Sequence, residues 1–351
     1  MARVAVTGHL CVDLIAGLSG HERIDPGQLF EVGPLSVRLG GSAGNTGGDL
    51  VELGVPVDVV ATVGDDDLGI LLQRLIATRT GMTPRLRRVG GSATSYSLVF
   101  ETPHSDRTFW HHVGSNAHFD GSEVEPTPDL ALVHVGYPNL LPALVADDAA
   151  PWRGMLGRLR TAGVTTSVDL AVLDPGSLAG QLDWASILRA TLSEVDVITP
   201  SVDDLISALP GHTGPARQDD ASVERAAEML LDWGAGVVLL SAGPRGAFLR
   251  TAGRTRLRTA GRGFVAPDAW ADVREWVAPY PVTRVATTTG AGDAATAGLL
   301  RGLLAGLSPR RSGALAMACA ASVVSGRRPT PEVLATIDEP LASACRQHPG
   351  W

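Results

Sequence analysis

Short apolar runs alternate along this chain with stretches in which apolar residues recur every three or four positions. "RVAVTG" near the start reads as a buried strand, and "VDVVATVG" as a second. Between them, "GNTGGDLVELG" opens on glycines and takes helical spacing through Leu50 and Leu53. "DDLGILLQRLIATR" follows as a second helix. Further apolar runs are "ALVHVG", "TTSVDL", "DVITP" and "GVVLLSAG", most of them separated by helix-like segments such as "APWRGMLGRLRTAG" and "ASVERAAEMLLDWG". Strands alternating with helices predict an α/β fold whose mostly parallel sheet is covered on both faces.

One region departs from this rhythm. From Thr94 to His112, "TSYSLVFETPHSDRTFWHH" alternates in strand fashion across a polar turn and predicts a hairpin. Asp13 to Arg38 also lacks helical periodicity. Together they predict a small accessory sheet, giving one α/β domain over 1–351 with β segments at about 13–38 and 92–114.

Composition narrows the chemistry. With 351 residues, 44% of them hydrophobic, the chain can bury a large core. A net charge of −8 argues against a surface for nucleic acid or anionic membranes. The opening "MARVAVTGHL" is too polar for a secretion signal, and no apolar run approaches the roughly 20 residues that span a bilayer. Cys11, Cys319 and Cys345 form neither a metal-ligand spacing nor a disulfide framework, so a reducing cytoplasm is expected. All 29 basic residues are arginines. Without lysine there is no Schiff-base nucleophile, no lysine-bound pyridoxal phosphate and no P-loop lysine.

Two glycine clusters carry candidate chemistry. "RLGGSAGNTGG" (Arg38–Gly48) lacks the G-x-G-x-x-G dinucleotide fingerprint. Gly40 and Gly41 would let backbone approach a small ligand, and Asn45 would lie in the first helical turn. An ordinary turn before a helix explains the cluster as well. In "TTTGAGD" (Thr287–Asp293), Gly290, Ala291 and Gly292 place backbone N–H groups at a helix start, where an anion is favoured. Asp293 is then either a common acidic first-turn residue or the base that takes a proton from an attacking hydroxyl.

The two clusters together resemble the ribokinase-like (PfkB) carbohydrate kinases. The resemblance rests on "GGSAGNTGGDLVELGVPVDVVATVGDDDLG" and "TTTGAGDAATAGLLRG", with support from "GHLCVDL", "DVITPSVDDL" and "SAGPRGAFL", and it covers nearly the whole chain. It implies a three-layer α/β/α domain with a β-sheet lid, and transfer of the γ-phosphoryl group of ATP, with Mg2+, to a primary hydroxyl of a small sugar or sugar acid. It implies Asp293 as general base, with Gly290, Ala291 and Gly292 as anion hole. Asp13, Gly40, Gly41 and Asn45 would hold substrate hydroxyls, with Arg107 reaching in from the lid. Ser241, Gly243 and Gly246 would line the ATP side. A homodimer through the lid is a further expectation.

The chain departs from the family pattern at four positions. Ser201 and Asp204 stand where Asn-x-x-Glu is usual, leaving Asp204 to hold a magnesium water at shorter reach. Thr287 replaces an Asp of the monovalent-cation site, and Ala295 a Phe. A nucleoside kinase of the same fold and a catalytically silent sugar-binding protein are the alternatives. His111 and His112, adjacent on a strand, point to opposite faces and should not share a metal. Trp110 could face a ligand.

Overall fold

Apolar residues fill consecutive positions in the main strands because helices cover both faces of the sheet. Val4 and Val6 pack into one apolar cluster and Ala5, between them, into the other. Val237 and Leu239 against Val238 and Leu240 divide in the same way. The computed structural model describes residues 3–18, 26–27, 29–101, 108–209 and 219–347.

The strands are β1 (Arg3–Gly8), β2 (Cys11–Gly17), β3 (Ser36–Gly40), β4 (Val57–Gly64), β5 (Met82–Val89), β6 (Tyr96–Glu101), β7 (Thr108–His112), β8 (Leu130–Gly136), β9 (Thr165–Asp169), β10 (Val197–Ile198), β11 (Val237–Ser241), β12 (Ala247–Thr251) and β13 (Arg274–Val277). The helices are α1 (Gly41–Glu52), α2 (Asp67–Ala77), α3 (Ala146–Thr161), α4 (Trp184–Thr191), α5 (Val202–Ala208), α6 (Asp220–Asp232), α7 (Arg254–Leu257), α8 (Ala291–Leu304), α9 (Pro309–Val324), α10 (Pro331–Ala335) and α11 (Glu339–Gln347).

Nine strands form one sheet in the order β13-β12-β11-β10-β9-β8-β1-β4-β5. Its pairs are parallel from β5 through to β11, and the β11–β12 and β12–β13 pairs are antiparallel. Helices α1, α2, α8 and α9 supply the cluster on one face, and α3, α4, α5 and α6 the cluster on the other. Four further strands form a separate sheet, β3-β2-β6-β7. The expected hairpin is its β6–β7 pair, antiparallel from Tyr96↔His112 to Phe100↔Thr108. This is the ribokinase-like architecture, with helices on both sides of a large sheet and a small second sheet beside it.

Two details position the site. β1 has β8 on one side and β4 on the other, so the chain's crossovers diverge around it. In such sheets the crevice at the carboxyl ends of those strands is where ligands collect. At the opposite, amino end of β10, the fully buried Asp196 anchors the layers. Its Oδ1 accepts from Arg256 at 3.0 Å and Arg160 at 3.4 Å, and its Oδ2 from the Thr166 N–H at 3.1 Å.

Candidate active site

Helix α8 begins where the backbone of Gly290 turns left-handed, with φ +81. A side chain would be strained there, so glycine is the residue that lets the helix start at this angle. The Ala291 N–H bonds back to the Thr288 carbonyl at 3.2 Å. At Gly292 an added Cβ would meet nothing within 4 Å, so this part of the first turn opens onto free space.

Asp293 follows and is buried at 4% exposure. Its Oδ1 accepts from Thr46 Oγ1 at 2.7 Å. Its Oδ2 accepts from Tyr137 Oη at 2.9 Å and Asn45 Nδ2 at 3.2 Å. Burial pushes its carboxyl above the usual carboxylate range, while hydrogen bonds from Thr46, Tyr137, Asn45 and Ser42 hold it down. A carboxylate kept ionisable yet poorly solvated is a stronger base than one in water. Asn45 and Thr46 sit one turn into α1, later than the first-turn placement expected from sequence, because that helix already opens at Gly41.

Gly40 and Gly41 join β3 to α1, with Gly41 at φ +76. A Cβ at Gly40 would run into the Asp13 carboxylate, and one at Gly41 would meet His9. Both glycines are therefore required by close approach, and they bring the lid-sheet residue Asp13 against the start of α1. Arg107 lies outside the described residues.

Ser241, Gly243 and Gly246, expected on the ATP side, lie in a tight turn at the carboxyl end of β11. Gly243 has φ +57 and Gly246 φ +91, and the Ala242 N–H closes the turn on the Gly246 carbonyl at 2.8 Å. The Ser241 N–H bonds to the Pro200 carbonyl at 3.1 Å, tying this turn to the start of α5. Beside it, a cavity of about 320 Å³ is lined by Arg245, Trp276 and Pro279. Asp204 and Ser201 form a capping box on α5: Asp204 Oδ2 accepts from the Ser201 N–H at 2.8 Å and from its hydroxyl at 2.6 Å. Burial raises the Asp204 carboxyl to about 6.

Three residues at this crevice were given no role from the sequence, although His9 lies within "GHLCVDL". Tyr137 follows β8 in a left-handed conformation, φ 56, and its ring lies 5.7 Å from that of His9, which follows β1. Asp169, the last residue of β9, is buried, and burial drives its carboxyl well above the ordinary value, followed by repulsion from Asp204 and Asp293. The only clue to all three was position, since each sits at or just past the carboxyl end of a predicted strand. As expected, His111 and His112 take different partners, His111 facing His9 and Ser97 while His112 packs on Tyr96. Trp110 packs on Phe100 and is 49% exposed.

The model of the pfkB family carbohydrate kinases matches residues 1–333. The chain belongs to that family. This pfkB-family member is a phosphotransferase with a hydroxyl acceptor, as its named relatives are kinases. It is 27% identical over 308 residues to a 1-phosphofructokinase of Rhodobacter capsulatus, covering 86% of this chain and 85% of the relative. It is 28% identical over 287 residues to a fructoselysine 6-kinase of Shigella flexneri, covering 81% and 89%. Its fold is shared with the adenosine kinase of Sinorhizobium meliloti, at TM-score 0.71, 21% identity and 99% coverage of both chains. Among the described residues, no helix is long and apolar enough to cross a membrane.

Proposed function

We propose that this family member transfers the γ-phosphoryl group of ATP to a primary hydroxyl of a small sugar or sugar-like acceptor. The observation that carries the reading is Asp293, a buried carboxylate beside the open first turn of α8 and within hydrogen-bond reach of groups from α1 and β8. Asp293 takes the proton of the acceptor hydroxyl as it attacks in line. The first-turn amides of Gly290, Ala291 and Gly292 stabilise the charge that develops on the phosphoryl oxygens. Asp13, Gly40, Gly41 and Asn45 hold the acceptor, and Ser241, Gly243 and Gly246 line the triphosphate side. Both relatives named above phosphorylate sugars or sugar derivatives, which supports a sugar acceptor. The row Val37, Leu14, Leu98 and Trp110 crosses the lid sheet, and its end residues are 38% and 49% exposed, which supports pairing of two lids. The deciding experiment is ATP consumption across pentoses, hexoses, keto-deoxy sugar acids and nucleosides. Turnover confined to nucleosides, or none at all, would overturn the sugar-kinase reading.

Magnesium, when bound, would offset the charge of the transferring phosphates. The donor chemistry for it is a carboxylate, and Asp204 at the start of α5 provides one whose Oδ1 lies outside the capping bonds. If it orients a metal water, Asp204→Ala should raise the magnesium concentration needed for half activity several-fold, with ATP affinity in the absence of metal little changed. An unmoved magnesium titration would leave Asp204 as a helix cap.

Thr287 gives a second expectation. Its hydroxyl accepts from the Thr289 N–H at 3.1 Å, and its own N–H points to the Val324 carbonyl at 3.3 Å. The family's Asp there would bring a full negative charge to a monovalent cation, whereas this hydroxyl is neutral and already engaged. Initial rates at constant ionic strength should therefore change less than about twofold when potassium is added to a sodium- and potassium-free buffer. A large activation would mean that backbone carbonyls build the cation site unaided.

A further inference from the structure

A continuous line of polar side chains runs beneath the small sheet from Asp13 to His9. Cys11 Sγ lies 3.3 Å from Asp13 Oδ1, and Ser97 Oγ 3.7 Å from Cys11 Sγ. His111 Nδ1 lies 3.1 Å from Ser97 Oγ, and His9 Nε2 3.2 Å from His111 Nε2. Cross-strand pairing puts Asp13, Ser97 and His111 on one face of the sheet. Burial holds both imidazoles neutral, with His9 well below its ordinary value and His111 at about 4.

Each link in this line has one hydrogen to give: one S–H, one O–H and one N–H on each neutral ring. The Cys11 S–H points to Asp13, whose Oδ1 accepts it. The Cys11 sulfur then has no hydrogen left for Ser97, and Ser97 must donate to it. Ser97 in turn must accept, from the Nδ1–H of His111. His111 Nε2 is therefore bare and accepts from the Nε2–H of His9. What remains is His9 Nδ1, a bare nitrogen. It is buried, and no described residue donates to it. It lies beside Gly41, one of the two glycines expected to hold the acceptor: a Cβ there would come within 2.7 Å of it. On the adjacent glycine, Gly40, a Cβ would meet the Asp13 carboxylate.

We infer that His9 is a specificity-determining residue whose Nδ1 is fixed as a hydrogen-bond acceptor by the relay from Asp13 and receives a hydroxyl of the acceptor sugar. A buried acceptor without a donor is costly, and a ligand hydroxyl relieves that cost. With Asp13 on one glycine and His9 Nδ1 on the next, the site presents two neighbouring acceptors. It therefore suits the neutral polyhydroxy end of a sugar. A carboxylate or phosphate at that end would bring only lone pairs and negative charge against them. The choice of ligand rests on the sugar-kinase reading, but the proton arrangement is a property of the chain alone.

The experiment begins without ligand. Nitrogen–proton correlation spectra of the histidine rings, assigned with His9→Gln and His111→Gln, should show the Nε2–H form at His9 and the Nδ1–H form at His111. The reverse pair overturns the relay whether or not the protein is a kinase. Ser97→Ala cuts the line and should release His9 into a mixture of the two forms; an unchanged His9 also overturns it. Neutral pentoses and hexoses are then titrated without ATP, beside the corresponding aldonic acids. The His9 Nδ1 resonance should move with neutral sugars only, and a response to the acids alone, or to no sugar, overturns the hydroxyl assignment. A response without any phosphorylation sinks only the kinase reading. For a sugar that is phosphorylated, the deoxy analogue lacking that hydroxyl should have a KM roughly tenfold to hundredfold higher. In His9→Leu that gap should close with kcat changed only a few-fold, and a persisting gap places the hydroxyl elsewhere.

Discussion

Asp293→Asn is expected to leave a folded protein that turns over at least about 10²–10⁴-fold more slowly. The fold should survive because the amide can satisfy the same neighbours. Its oxygen can take the place of Oδ2, where Asn45 and Tyr137 both donate. Its NH2 then meets the Thr46 hydroxyl, which can rotate and accept. What is lost is the base. The pH dependence separates this from a packing defect. Burial raises the Asp293 carboxyl, so the native rate should fall as pH drops through a value above the ordinary carboxylate range. The residual rate of the variant should lack that acidic limb. Steady-state rates from pH 5 to 9 on both proteins would show it, and near-native turnover would remove Asp293 from the proton transfer.

Asp196→Ala should cost stability on the order of 3 kcal/mol. Removing this fully buried carboxylate leaves the Thr166 N–H without its acceptor and two guanidiniums without their shared partner. The loss should sit toward the low end for a broken buried pair, because Arg160 keeps Glu194 and Arg256 keeps the Val195 and Gly234 carbonyls. Unfolding in urea measures it. Since Asp196 lies at the amino end of β10, the folded variant should retain native KM and kcat. An unchanged midpoint would mean that those remaining partners suffice.

Strands buried on both faces were legible as unbroken apolar runs, down to the two-residue β10 inside "DVITP". β5 was not, because it is an edge strand whose exposed positions are Thr83 and three arginines and whose third residue is Pro84, which together disguise the pattern. β12 and β13 escaped notice because Arg250 interrupts the apolar run of the first and only the last residue of the second is buried. At the site, Asp293 and its glycines announce themselves by composition at a helix start. Tyr137 does not: a left-handed tyrosine after a strand leaves no local signature, and its role depends on a carboxylate far along the chain. The sequence showed His9 within "GHLCVDL" and His111 beside His112, with nothing to link the two. Their mutual contact exists because the small sheet folds back over the end of β1.

The hydrogen bonds from Asn45 and Thr46 to Asp293 span 248 and 247 positions of chain. During synthesis at roughly 5–20 residues per second, the amino-terminal half of the crevice is finished about 10–50 s before Asp293, the proposed base, has been made. Until α8 emerges and docks against α1, the growing polypeptide holds an apolar groove along that helix with nothing to fill it. On the proposed mechanism, catalytic competence waits for α8, and the interval before it docks against α1 is when the nascent protein needs shielding from its neighbours.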